Sequence, residues 1–449
     1  MTTPDSRDGL SGLDDLMRYD PGSHGGEREP AARYRRRRVG LIIASIVTLV
    51  VLGAPTAYVV WALNAPLSAP AVTSQTPAVA APAAASIALP SEGASAISIS
   101  GGDAYLGPAA SGIWTTSGTD EPRPLASISK VITALVILEE RPLASAEDPG
   151  PTITFDGADN DIYDRYYVLG ATVATMPTGS SMSQHDALGM MLIPSASNYA
   201  EALSTWAFGS QGAFLAATQR WLTANGLTGT TIVEPTGISA RNTSTPADLI
   251  AIGKLASANP VVAQISATRS ASLGAPGLVS NTNDLLGTAG ITGLKTGNLG
   301  AGRHNLLYTA SLDVGAAEPL AVTGVVLGGS SRQSVNADVV ATLESIRAGF
   351  HAVPLAAPGD PVGTYTTPWG STARMVVGES ASIFTWSDTP ITATMQTTAA
   401  QTYENGETVG SITWTAGPHT ATATIVIEGT IEPPTEWWRL THPGELGNP

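Results

Sequence analysis

The sequence predicts a mixed α/β domain, preceded by a membrane-crossing helix and followed by a small all-β domain. Three observations carry this. A charge-free apolar run from Val39 to Leu63 is long enough to cross a bilayer with some tilt. Between about Ile87 and Val353, strand-like stretches alternate with longer helical ones, the pattern of an α/β domain. From Pro354 to Pro449, short runs alternate apolar and polar residues with turn residues between them, the pattern of an all-β fold.

Residues 1–38 hold Asp, Gly, Pro and Arg without periodicity and are expected to be disordered. They end in Arg33, Arg35, Arg36, Arg37 and Arg38, and no basic residue follows the apolar run until Arg123. This asymmetry places the N-terminus in the cytoplasm and everything after Leu63 outside, on a single-pass anchor in the plasma membrane. A cleaved signal peptide is the rival, but the 38-residue lead is long for one, and Pro66 sits badly after the best small-residue site near Ala65. Residues 64–86, rich in Ala, Pro, Ser, Thr and Val, are expected to form a semi-extended spacer.

The α/β domain, residues 87–353, opens with the strand-like stretches ASAISIS, GDAYLG and SGIWTT. The mostly apolar run Ile128–Leu138 is too long for a typical strand and predicts a buried helix. A second helix is expected over Asp186–Ala207, and a third over Thr245–Leu255 behind a Thr-Pro start signal. ITGLKTGN, HNLLYTASLDV and PLAVTGVVLGG predict adjacent strands of one sheet, closed by a helix over Ser334–Phe350. In the C-terminal region, residues 354–449, the stretches ARMVVG, ITATMQT, GSITWTA and TATATIVIEG predict strands.

Composition excludes several functions. A net charge of -15 argues against nucleic acid as a partner. The absence of cysteine removes disulfides, thiolate metal sites and cysteine nucleophiles. The histidines are scattered and show no zinc-binding spacing, and no metal or cofactor is implied. Of the 22 basic residues only Lys130, Lys254 and Lys295 are lysines. Lysine can lose its proton in a protein and arginine cannot, so the surviving lysines are candidates for chemistry.

Ser127 and Lys130 stand three apart at the start of the apolar helix, which puts both on one face. A serine hydroxyl needs a base to become a nucleophile, and a buried lysine can lose its charge and serve as one. The helix N-terminus adds N–H groups that could hold an oxyanion. Taken alone, such a pair also fits a solvated helix start. Lys295-Thr296-Gly297 lies in a strand context, where a bare glycine lets an extended peptide approach the strand edge; the plainer alternative is a strand end with a turn glycine. Two of only three lysines occupy these two motifs.

Ser127-x-x-Lys130, then Pro194-Ser195-Ala196-Ser197-Asn198, then Lys295-Thr296-Gly297 resembles the three-motif set of penicillin-recognising serine enzymes. The surrounding runs RPLASISKVITALVILE, MMLIPSASNYAEAL, VEPTGISARNTSTPADLIAIGK and SNTNDLLGTAGITGLKTGN resemble the D-alanyl-D-alanine carboxypeptidases, the low-molecular-mass penicillin-binding proteins. The resemblance covers about residues 90–350. It implies a penicillin-binding/β-lactamase-like transpeptidase domain, with the active site between a five-stranded sheet and a helical subdomain. The β-rich tail is similar to the extra domain many of those enzymes carry.

The resemblance also implies roles. Ser127 would be the acylated nucleophile, Lys130 its base, and Ser195 a proton relay to the leaving D-alanine. Lys295 would keep the site electropositive, Thr296 would bind the substrate carboxylate, and the backbone N–H groups of Ser127 and Asn298 would form the oxyanion hole. Arg332 matches an arginine often found near the carboxylate site, with a surface ion pair as the alternative. The implied partners are peptidoglycan peptides ending in D-Ala-D-Ala, and β-lactam antibiotics. One departure stands out: the second motif usually reads Ser-x-Asn, whereas here the smaller Ser197 holds the third position and Asn198 follows it, so that either Ser197 or, after a small helix shift, Asn198 would face Lys130 and the substrate amide. That leaves open a catalytically silent binding protein built on the same fold. A β-lactamase-like hydrolase is the nearer rival, but no Glu-x-x-Leu-Asn is present, and Glu234-Pro235-Thr236-Gly237-Ile238 does not fit that pattern.

Overall fold

A computed structural model describes residues 31–447 except positions 81, 275 and 301. Of residues 1–38, expected to be disordered, 1–30 lie outside the described residues and 31–38 are instead helical. The chain divides into two compact units: one holds the N-terminal helix with residues 366–372 and 431–447, the other residues 72–365 and 373–430.

In the first unit, helix α1 (Ala31–Asn64) begins ahead of the expected Val39. The arginines that precede the apolar run are good helix formers and continue the helix rather than breaking it. Among the described residues it is the one single helix long and apolar enough to cross a membrane. Its C-terminal end is tied to residues 439–440. The Tyr58 hydroxyl donates to the Leu440 carbonyl at 2.7 Å, and Arg439 donates to the carbonyls of Ala62 and Ala65, a cation at the negative end of a helix.

In the second unit, a five-stranded antiparallel sheet is built from β1 (Ala94–Ser100), β2 (Thr115–Ser117), β3 (Ile291–Asn298), β4 (His304–Leu312) and β5 (Leu320–Gly329), in the order β3-β4-β5-β1-β2. The sheet holds five of the six expected strands, SGIWTT only through Thr115 and Thr116. GDAYLG is instead a short helix, Asp103–Leu106, with Gly102 before it and Gly107 after it.

Helix α2 (Ser129–Glu140) is buried along ten of its residues, which explains its lack of a polar face. Around it pack α3 (Gly157–Val168), α4 (Gln184–Leu192), α5 (Ser197–Phe208), α6 (Gln211–Ala224), α7 (Pro246–Ala258) and α8 (Pro260–Ala267). They share one core with one face of the sheet, through Ile132, Leu203, Leu249 and Val325. Helix α9 (Arg332–Ala348) covers the other face through Val335, Val339 and Leu343. The single helix expected over Asp186–Ala207 is two, α4 and α5. The break falls at Pro194, which has no N–H to donate, and at Ser195, whose φ is +71°.

The C-terminal region forms a six-stranded sheet in the order 71–74, 361–366, 372–377, 419–428, 408–416, 391–397. Ala71–Ser74, expected within the spacer, is its edge strand; a β-branched pair between Pro70 and Pro77 suits that position. Phe350–Ala356 pairs with Ala381–Trp386, so a strand runs across the boundary expected at Val353.

Candidate active site

Ser127 lies in a 3-10 turn, Ala126–Ile128, that runs directly into α2. The turn starts from a constrained backbone: Ala126 has φ +52°, a left-handed conformation that costs a residue with a Cβ about 1 kcal/mol or more. Packing holds it there. Ala126 is fully buried, and two glycines press on it. A Cβ on Gly237 would lie 1.9 Å from the Ala126 carbonyl oxygen, and one on Gly297 would lie 2.6 Å from the Leu125 carbonyl oxygen. Gly297 is therefore needed for the approach of β3 to the serine turn, whatever it offers a ligand.

One turn into the helix, the Lys130 amine donates to Ser127 Oγ at 3.0 Å and to the Thr236 carbonyl at 2.7 Å. Lys130 has no exposed surface. Burial pulls its ammonium down from 10.5 to about 7, against the opposing pull of the Glu234 carboxylate. The pair is a hydroxyl in contact with an amine that gives up its proton near neutral pH, which is what general-base activation of a serine requires.

Ser127 opens onto a cavity of about 390 Å³, lined also by Ser195, Ser197, Thr296, Asn298 and Arg332. Among the described lining residues none is acidic. Ser195 reaches it from the break between α4 and α5, and its left-handed backbone turns the chain there. Ser197, the first residue of α5, is 4 % exposed and also lines the cavity. Asn198 does not: it is fully buried, accepts from Ala174 N at 3.1 Å and donates to the Ala174 carbonyl at 2.8 Å. Its carboxamide pins the segment after α3 and leaves the third position of the motif to Ser197.

On the opposite wall runs β3, the free edge of the sheet. Lys295 is buried beneath it and donates to Thr282 Oγ1 at 3.2 Å and to the Thr296 carbonyl at 3.3 Å. The Thr296 and Thr282 hydroxyls are 2.7 Å apart. Burial first, then the neighbouring cations Lys130 and Arg332, hold the Lys295 ammonium well below its ordinary value. Arg332, which cannot lose its proton, lines the same cavity. It also forms the alternative expected from sequence, a 3.4 Å ion pair with Asp284, with both side chains about half exposed.

Sequence reasoning assigned no role to three polar side chains that build this arrangement. Glu234 and Asn242 organise the loop that receives Lys130. Asn305 on β4 donates to the carbonyls of Pro124 and Leu125 and accepts from Gly328 N, tying the serine turn to the sheet. All three lie outside the serine and lysine motifs, and only their contacts in space reveal them.

A sequence model of the D-alanyl-D-alanine carboxypeptidase family matches residues 92–330, which takes in Ser127, Lys130, Ser195 and Lys295. The D-alanyl-D-alanine endopeptidase of Escherichia coli (strain K12) is 32 % identical over 150 residues, 33 % of this chain and 45 % of that protein. The enzyme of the same name from Pseudomonas aeruginosa is 31 % identical over 145 residues, 32 % of this chain and 43 % of that one. The matches therefore span less than half the length of these curated relatives. Among solved structures, penicillin binding protein 5 from Haemophilus influenzae superposes with a TM-score of 0.50 at 16 % identity, covering 79 % of this chain and 100 % of that one. The D-alanyl-D-alanine carboxypeptidase of Francisella tularensis gives 0.50 at 17 %, covering 80 % and 97 %. At such identities the superpositions speak for the fold alone. The family match extends over more than half of the chain and encloses the serine–lysine pair, and the chain belongs to the D-alanyl-D-alanine carboxypeptidase family.

Proposed function

We propose that this protein is a serine peptidase that cleaves the D-Ala-D-Ala end of peptidoglycan stem peptides through an acyl-enzyme on Ser127. The observation that carries the reading is the 3.0 Å contact between Ser127 Oγ and a buried Lys130 amine whose proton is held at about pH 7. In this reading Lys130 takes the proton as Ser127 Oγ attacks the carbonyl carbon of the penultimate D-alanine. The backbone N–H groups of Ser127 and Asn298 receive the oxyanion. Ser195 passes a proton to the departing D-alanine, and water then releases the acyl group. Thr296 and Arg332 hold the substrate's terminal carboxylate. Burial and the neighbouring cations disfavour the Lys295 ammonium, and that carboxylate would give it an opposite charge to face. The helix α1 anchors the protein in the plasma membrane, with the N-terminus cytoplasmic and the catalytic domain outside.

The experiment is incubation of the full chain, in detergent, with diacetyl-Lys-D-Ala-D-Ala and measurement of released D-alanine, alongside mass spectrometry of the penicillin-treated protein. Release of D-alanine together with a penicillin adduct on Ser127 supports the reading. An adduct without release points to the silent binding protein that Ser197 leaves open, and no adduct removes Ser127 as nucleophile. A second reading, cleavage of the D-alanyl bond in cross-linked peptides, is favoured by the likeness to two D-alanyl-D-alanine endopeptidases. A cross-linked dimer supplied beside the monomer peptide separates the two.

A further inference from the structure

We propose that Glu234 is a positioning residue: its carboxylate folds the loop of residues 234–239 so that the Thr236 carbonyl holds the Lys130 amine on Ser127. The inference rests on the Ser127–Lys130 reading and adds a residue that acts through the base.

The geometry is a carboxylate with every contact turned inward. Oε2 accepts from Thr236 N and from Thr236 Oγ1, each at 2.7 Å. Oε1 accepts from Gly237 N at 2.8 Å, Ser239 N at 3.2 Å and Asn242 Nδ2 at 3.1 Å. The loop so formed is fastened to α2 at three points. Lys130 donates to the Thr236 carbonyl at 2.7 Å, Thr133 to the Pro235 carbonyl at 2.8 Å, and Asn242 to Ser129 Oγ at 3.0 Å. Asn242 is itself fully buried and accepts from Val233 N and Glu234 N. Thus the residues between Ser127 and Thr133 and the loop above them form one hydrogen-bonded body, with Glu234 at its centre. Its charge also opposes the burial of Lys130.

The other groups that bear on Lys130 are few. Lys295 comes from β3, with Arg332 of α9 acting on it in turn. Tyr166 of α3 faces Glu234 and Thr236, and its hydroxyl donates to Glu201 of α5. Burial dominates the proton affinity of Lys130, and Glu234 is the carboxylate that opposes it.

Glutamine cannot replace it. Both oxygens accept from backbone N–H groups, so whichever way a carboxamide turns, its NH₂ meets donors. The chain's three lysines make the test direct: full-length protein in detergent, labelled with ¹³Cε-lysine, gives one resonance per lysine, and Lys130→Arg identifies the signal from Lys130. In Glu234→Gln the Lys130 midpoint should fall by about one pH unit. In Glu234→Asp the charge remains, so the midpoint should stay within about 0.3 units of wild type. Penicillin acylation of that variant should still slow by about tenfold or more, because the shorter carboxylate cannot reach Thr236 and Ser239 together.

An unmoved midpoint in folded Glu234→Gln, or a midpoint in Glu234→Asp displaced as far as in the glutamine variant, overturns the proposal. Acylation of Glu234→Asp at the wild-type rate overturns it too, and this arm decides the matter if the glutamine variant does not fold. If penicillin fails to label the wild-type protein at all, the Ser127 reading falls, while the lysine titration still decides whether Glu234 governs Lys130.

Discussion

A Cβ added to Gly237 would lie 1.9 Å from the carbonyl oxygen of Ala126, the residue immediately before Ser127. Gly237 also has φ +84°, so two independent constraints demand glycine there. The loop and the serine turn are in backbone contact, and neither can move without the other. Gly237→Ala should lower stability by about 1–3 kcal/mol. It should reduce penicillin acylation by about a hundredfold, because the turn that aims Ser127 must shift. Thermal melts and the second-order labelling rate measure the two effects; unchanged labelling would show that the turn tolerates displacement.

In the proposed mechanism Lys130 must be neutral to accept the Ser127 proton, so the acylation rate should rise with pH through a midpoint near 7 and flatten above it. The same shift has a consequence for stability. The folded-state value, about 7, lies below the ordinary 10.5. Between those values the unfolded chain binds a proton that the folded chain does not, so stability rises with pH across that window. Below about pH 7 both states are protonated, and the cost of burying the ammonium is present in full. Lys130→Met removes this contribution. Its melting temperature should therefore climb less steeply than that of wild type between about pH 7 and pH 9. Parallel melting curves would mean that Lys130 is not held at a depressed value.

The sheet and the pairing of Ser127 with Lys130 were legible in the sequence because each leaves a local mark. ITGLKTGN and PLAVTGVVLGG are apolar runs bounded by turn residues, and Ser127 and Lys130 share a helix face at a fixed spacing. What holds them was not legible. Glu234 serves the site through five donors, of which three are backbone N–H groups of its own loop. Asn242 and Asn305 act across more than a hundred positions of chain. Such contacts have no period. The split of the expected helix at Pro194 was written in the sequence, yet proline alone does not say that the chain turns left-handed at the next residue. Nor does the sequence tell which way the Asn198 carboxamide turns: the motif fixes residue types, while that direction depends on Ala174, on another segment.

Asn305 offers a test of the sheet's hold on the serine turn. Its Nδ2 donates to the Pro124 and Leu125 carbonyls at 2.9 and 3.1 Å, and its Oδ1 accepts from Gly328 N at 2.8 Å. Asn305→Ala leaves these backbone groups without their partner and should cost about 2–4 kcal/mol. Asn305→Asp should be worse at neutral pH, because a carboxylate oxygen would then face two carbonyl oxygens. Denaturant melts of the two variants give the order, and an aspartate variant more stable than the alanine one would reverse this account.

The membrane reading makes its own prediction. With α1 spanning the bilayer and its arginines inside, protease added to intact wall-stripped cells should digest the chain beyond Leu63, leaving a fragment of the helix and the preceding segment. Full protection of the large domain would reverse the orientation.

The sharpest prediction separates the two buried lysines by what each must do. Lys130→Arg keeps the positive charge but removes the group that can release a proton, since a guanidinium is never a base in this pH range. It also asks a larger planar head to fit a space that leaves Lys130 no exposed surface. Acylation by penicillin should be abolished. Lys295→Arg should lose less. That side chain donates to the Thr282 hydroxyl and the Thr296 carbonyl, and a guanidinium can donate to both. Some loss is still expected, because Lys295 is 1 % exposed and the larger head has to displace its neighbours. Circular dichroism first establishes that both variants fold, and the second-order acylation rate is then measured for each. A Lys130→Arg rate within about tenfold of wild type, a barrier difference of about 1.4 kcal/mol, would mean that Ser127 gives its proton to another group, and the mechanism would have to be rebuilt around that group.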